Sequence, residues 1–307
     1  MRILTGKDIW VTEDCAVMLG KFDGMHRGHR TLLDEVLRRK ADGLAALVFT
    51  FSVPPRELID GDHGARLMTQ EEKREYFDDA GVDYLVEFTF DYASRHMSAE
   101  DFVRDVLVRD LRAKAVVVGE DFGFGYQRSG NAALLAQMSE ECGYELCLKP
   151  MLKDEDGVVI SSTRILEAVK AGDLETAERL LGRPFSYIGT VVHGEGMGTA
   201  FGFPTVNVPI PAGKVSPPRG VYASRVRVGD SVYPGATDIG VKPTIAGEHR
   251  ESTETFILDF HDDVYDEDIE VMLCSYLREE RKFESIEALT AQIAEDVKTV
   301  RGLWKMQ

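Results

Sequence analysis

The hydrophobic period of this chain changes at Gly182-Arg183-Pro184, and that change limits its fold more than any other feature. Before it, apolar runs alternate with amphipathic stretches. Strands are predicted at Ala16 to Leu19, 44–51, 83–87, 115–119 and 144–149, and helices at 28–40, 70–79, 99–111 and 131–141. Such alternation requires a parallel sheet covered by helices. Residues 162–182 read as two short helices. Beyond them come closely spaced strands at 186–193, 220–228, 231–239, 253–260 and 268–276, separated by glycine and proline turns. That pattern suits a small antiparallel barrel. A last helix runs from Ser285 to Arg301, with Ile286, Leu289, Ile293 and Val297 as an apolar stripe for the core. The expected architecture is a Rossmann-like α/β domain over residues 1–184, then a small antiparallel β-barrel with a C-terminal helix over residues 185–307.

Each part carries a phosphate-binding signal. Residues 16–29 read AVMLGKFDGMHRGH. A buried strand ends at Gly20, a glycine-containing turn follows, and a helix starts near Gly28 with Leu32, Leu33, Val36 and Leu37 on one face. Strand, turn and helix together offer a helix N-terminus to an anion. His26 and His29 lie three apart at that helix start, so both imidazoles can address one ligand. They can donate to phosphate oxygens as charge develops. A metal site is disfavoured, because no cysteine or third histidine has suitable local spacing.

Residues 189–207 read GTVVHGEGMGTAFGFPTVN. Gly189, Gly194, Gly196, Gly198 and Gly202 leave backbone N–H groups open to a phosphate. Thr205 and Asn207 are neutral oxygen donors two apart, hence on one face of an extended segment. Hard oxygen donors beside a phosphate loop suit Mg²⁺ bound with ATP. A glycine-rich hairpin followed by an ordinary strand accounts for the same residue types equally well.

Three further segments matter. Residues 116–131, VVVGEDFGFGYQRSGN, open a strand into a loop whose Asp121, Phe122 and Phe124 suit a flat ring. Residues 160–166, ISSTRIL, place Ser161, Ser162, Thr163 and Arg164 at a helix start. Capping alone could explain the hydroxyls, and the arginine fork can clamp phosphate. ESTETFILDF holds Glu251 and Glu254, which, three residues apart, point to opposite faces of a strand.

Together these motifs resemble the prokaryotic bifunctional riboflavin kinase/FAD synthetase family over nearly the whole chain. The run Gly20-Lys21-Phe22-Asp23-Gly24-Met25-His26-Arg27-Gly28-His29 is similar to the FAD synthetase branch of the nucleotidylyltransferases. Gly202-Phe203-Pro204-Thr205 with Asn207 is similar to the kinase signature, with Val206 in an alanine's place. The chain departs from the family at Met197, Thr199, Leu166, Ser52, Val53 and Pro54.

The resemblance implies a transferase that phosphorylates riboflavin to FMN with ATP, then adenylylates FMN to FAD with release of pyrophosphate. It implies Glu254 as kinase base and His26 and His29 as catalytic in adenylyl transfer. ATP contacts are implied at Gly20, Phe22, Asp23, Gly28, Ser161, Thr163, Arg164, Gly194, Gly198 and Thr205. Flavin contacts are implied at Asp121, Phe122 and Phe124, and Mg²⁺ ligands at Thr205 and Asn207. An enzyme with only the kinase, or a degenerate flavin- or nucleotide-binding regulator, is the alternative that the departures motivate.

Composition narrows the partners. The formal net charge of −17 argues against nucleic acid, whose phosphates call for a basic face. No apolar run approaches the roughly 20 residues of a membrane span. There is no basic-then-apolar leader. The four cysteines form no CxxC pair. A cytoplasmic protein with free thiols is expected.

Overall fold

The computed structural model describes residues 1–6, 9–52, 64–89, 94, 96–194, 198, 202–243 and 249–304. Val53, Pro54, Gly196, Met197 and Thr199 lie outside them. By its contacts the chain divides into two compact units, Met1–Ser162 and Thr163–Gln307.

The first unit is built on a six-stranded parallel sheet. Its strands are β1 (Arg2–Gly6), β2 (Cys15–Leu19), β3 (Ala45–Phe51), β4 (Tyr84–Phe88), β5 (Ala113–Gly119) and, after the short β6 (Gly123–Phe124) and β7 (Gly130–Asn131), β8 (Glu145–Lys149). They lie in the order β1-β4-β3-β2-β5-β8. Central β2 is buried at every residue, which is why it reads as a continuous apolar run. Val17 and Leu19 join one core layer with Val116 and Val118. Ala16 and Met18 join the other with Ala115 and Val117.

The helices are α1 (Arg27–Ala41), α2 (Gln70–Asp79), α3 and α4 (Ala132–Cys142). Helix α3 starts as Ala99–Asp101 and continues through Phe102–Asp110 in π form, closing with Leu111 N–H on Val106 O at 2.9 Å. Strands β3 and β4 lie to one side of β2 and β5 to the other. The strand order therefore reverses at the β2/β5 pair, and the loops leaving their carboxyl ends flank a crevice where ligands bind in open α/β sheets.

Helix α5 (Ser162–Ala171) begins at the boundary residue, and α6 (Leu174–Leu181) follows it in the second unit. An antiparallel sheet follows: β9 (Phe185–Thr190), β10 (Thr205–Pro209), β11 (Gly220–Val228), β12 (Ser231–Pro243), β13 (His249–Ile257) and β14 (Asp268–Arg278), ordered β10-β13-β12-β11-β14-β9. The sheet curls until its ends meet, since Val192 N–H donates to Asn207 O at 2.9 Å. Inside, Ser224, Thr237 and Thr255 share a ladder of hydroxyl bonds at 2.7 and 2.9 Å. Helix α7 (Ile286–Trp304) packs Val297, Val300 and Leu303 with Ala223 and Leu258. Arg278 grips buried Asp296 of α7 at 2.8 Å.

Three expectations need correction. Strand β9 stops at Thr190, short of 193, because Val191 turns away to donate to Glu267 O and Val192 bridges to β10. Ile286, assigned to the apolar stripe of the last helix, is 54% exposed; the packed stripe is shifted toward Val300. Strands β1 and β10 were not among the expected strands. β1 is an edge strand with Ile3 facing out, so it lacks the signature of a buried strand.

Candidate active sites

The first site forms where β2 ends. His26 is the N-cap of α1, and its Nδ1 accepts the His29 N–H at 3.2 Å. A capping ring nitrogen must be unprotonated, so His26 carries its proton on Nε2. The His26 and His29 rings stack, with centroids 3.6 Å apart and planes 19° from parallel. Burial holds the His29 pKa well below its ordinary value, helped by neighbouring His26 and Lys73. Burial thus disfavours the charged form of His29, which leaves it a neutral N–H donor. His29 Nδ1 is sealed from solvent and meets no hydrogen-bond partner among the described residues. Such a group costs roughly 1–3 kcal/mol unless a ligand supplies the partner.

The turn beneath them is tightly held. Phe22 and Met25 are buried at positive φ, +51° and +41°. Asp23 accepts from Leu67 N–H at 2.9 Å and Met68 N–H at 3.2 Å, while burial pushes its pKa up. The Ser162 hydroxyl donates to Asp23 O at 2.8 Å, which ties the ISSTR segment to the turn. A methyl group on Gly20 would come within 2.7 Å of the Phe22 ring, so the turn needs glycine there. One on Gly28 would press on the His26 ring at 3.2 Å. Ser161 precedes α5, and Thr163 and Arg164 occupy its first turn, with Thr163 exposed and Arg164 half-buried.

Across the strand-order reversal, the loop after β5 carries the aromatic trio. Asp121 is exposed and Phe122 half-buried. Phe124 gives its ring to the core instead, 5.5 Å from Phe102, with Phe122 stacked on it at 5.6 Å. Phe122 and Asp121 are thus the members of the trio with free surface.

The second site lies on the outer face of β10 and β13. Thr205 is opposite Phe256 and Asn207 opposite Glu254 in the register of the two strands. Across β12, Asp238 is opposite Glu254. The Thr205 hydroxyl donates to Glu254 Oε1 at 2.6 Å. Glu251 falls on the other face and pairs with Arg219 at 3.5 Å. Two glycines of the loop, Gly194 and Gly198, lie close to this strand pair. A methyl group on Gly194 would collide with the Asn207 amide, and one on Gly198 with Phe203 O. The Gly198 carbonyl accepts the Phe203 N–H at 2.9 Å.

Sequence reasoning missed Asp238, which carries no motif and stands out only through strand register. It also missed Lys73, whose burial no local pattern announces.

These contacts set an expected result. On the activities that the sequence resemblance implies, Gly198→Ala should cut riboflavin phosphorylation by roughly tenfold to a hundredfold, since its methyl must displace backbone. FMN adenylylation by the same chain should not change. Initial rates of both reactions check this.

A family model described as FAD synthetase matches residues 8–164, and one described as riboflavin kinase matches residues 181–304. The chain is 41% identical over 292 residues to the bifunctional riboflavin kinase/FMN adenylyltransferase of Escherichia coli K12, covering 94% of this chain and 92% of that one. It is 37% identical to the Haemophilus influenzae protein of the same description, covering 96% of each. A solved Streptococcus pneumoniae structure, described as a macrolide-efflux protein, superposes with TM-score 0.85 at 30% identity, covering 98% of this chain and 99% of that one. Among the described residues of this chain, no helix is long and apolar enough to cross a membrane.

Proposed function

This chain belongs to the bifunctional riboflavin kinase/FMN adenylyltransferase family, and we propose that it runs the two reactions at two separate sites. It transfers the γ-phosphoryl of ATP to riboflavin, giving FMN. It then transfers an adenylyl group from a second ATP to FMN, giving FAD and pyrophosphate.

Residues 185–307 carry the kinase and residues 1–184 the adenylyltransferase. The observation behind the kinase assignment is the 2.6 Å bond from Thr205 to Glu254. A riboflavin hydroxyl must lose its proton as it attacks, and Glu254 is the carboxylate placed to take it. By donating its own proton to Glu254, Thr205 leaves its oxygen lone pairs for a cation. Thr205 and Asn207 are hard neutral oxygen donors of the kind that would hold Mg²⁺ brought with ATP. When bound, the ion neutralises charge on the transferring phosphoryl.

The adenylyl step needs no base, because the attacking FMN phosphate is already anionic. The His26 and His29 donors and the α1 N-terminus bind and orient phosphate oxygens, and those donors stabilise charge developing at the α-phosphate. Gly20, Phe22, Asp23 and Gly28 shape the turn, Ser161 and Thr163 flank in sequence the Ser162 that is bonded to it, and Phe122 and Asp121 offer the flavin its contact surface. The four cysteines are free thiols, and both steps belong to the reducing cytoplasm, with no nucleic-acid or membrane partner.

Fragments test the division. A fragment beginning at Thr163 should phosphorylate riboflavin and leave FMN unadenylylated. One beginning at Pro184 loses α6, whose Leu174, Ala177, Leu180 and Leu181 are buried. It should melt lower, since each fully buried leucine contributes about 1.5–3 kcal/mol. Circular dichroism and turnover on each fragment check both statements. A folded Thr163 fragment without kinase activity would contradict the division.

A further inference from the structure

We propose that Lys73 is a positioning residue for adenylyl transfer: its buried ammonium holds the Lys21 carbonyl, and through it the left-handed Phe22 whose ring backs His29. This rests on the reading that His29 serves that reaction.

Lys73 lies on α2 and is only 8% exposed. Burying an ammonium is costly, and packing alone would be served better by methionine. Burial pushes its pKa down, and Asp23 and Glu87 oppose that shift. What the lysine gains is a 3.0 Å hydrogen bond from Nζ to Lys21 O. The Thr50 hydroxyl donates to the same carbonyl at 3.2 Å. Two donors from two elements thus converge on one backbone oxygen.

The residue after that oxygen is Phe22, at φ +51°. A bulky side chain held there costs of order 1–3 kcal/mol and persists only where its surroundings over-determine it. They do so on both sides. Lys73 and Thr50 hold the carbonyl before it, and Asp23 after it is fixed by Leu67, Met68 and Ser162. The Phe22 ring then meets His29 edge-on at 5.4 Å and Phe77 edge-on at 6.1 Å. Phe77 is one helical turn beyond Lys73 on α2, so the two share a face. One helix supplies both the group that holds the backbone of Phe22 and the group that holds its ring. If the grip on Lys21 is lost, Phe22 is free to leave the left-handed region, and His29 loses the support behind its ring.

The test is a double-mutant cycle on the full chain, with riboflavin phosphorylation and FMN adenylylation measured on one preparation. Lys73→Met should lower kcat for adenylylation by about 10²-fold, the scale of a lost preorganised donor, with KM for ATP and FMN little changed. Phosphorylation should be unchanged. Lys73→Met combined with His29→Ala should fall no further than about threefold below His29→Ala alone, because both act on one ring. Losses that multiply would overturn the proposal, as would a Lys73→Met kcat near that of the unaltered chain. If Lys73→Met does not fold, Thr50→Val removes the other donor to the same carbonyl. It should lower the same kcat severalfold, and an unchanged kcat would overturn the proposal. A His29→Ala chain that turns over normally while Lys73→Met does not would instead refute the role of His29.

Discussion

Glu254→Gln should abolish FMN formation from riboflavin while FMN supplied directly is still converted to FAD. Losing general-base assistance costs roughly 10²–10⁴ in rate. The substitution preserves the shape of the side chain and its place opposite Asn207 and Asp238. It removes the capacity to take a proton. Because adenylyl transfer from an anionic FMN phosphate needs no base, the second reaction is an internal measure of intact protein. Glu251→Gln is the matched control, since Glu251 faces away from Thr205 and pairs with Arg219. It should leave phosphorylation nearly unchanged. The reverse pattern would move the base to Glu251.

His29→Ala should lower FAD formation from FMN and ATP by about 10²–10³, the usual effect of deleting one preorganised donor to developing charge. Riboflavin phosphorylation should be spared. The substitution also removes the partner stacked on His26 and the ring that Phe22 meets edge-on. It leaves the apolar side of α1, Leu32, Leu33 and Val36, untouched. If His29 serves only the helix start, alanine lowers the melting temperature and spares kcat. Melting temperature and kcat on the same preparation decide between the two.

Much of the fold was legible because its signals are local and periodic. The buried run at β2, the apolar face of α1 and the glycine at the C-cap of α6 each announce themselves over a few residues. The motif residues were legible as types, and register then explained them. Thr205 and Asn207 share a face with Glu254 because β10 pairs with β13, a contact no single segment encodes. For the same reason Asp238 stayed hidden: it reaches the site only through the pairing of β12 with β13. Phe124 misled in the opposite direction. It was expected to offer its ring to a flavin, but that ring is 8% exposed and packs inward. Lys73 was illegible because a lysine on a charged helix reads as solvated until the turn above it is in place.

The central claim is that one chain carries both steps. Incubating it with riboflavin, ATP and Mg²⁺, and resolving riboflavin, FMN and FAD by chromatography over time, tests this most directly. Riboflavin should give way to FMN, and FMN to FAD. Accumulation of FMN with no FAD, even when FMN and fresh ATP are supplied, would contradict it.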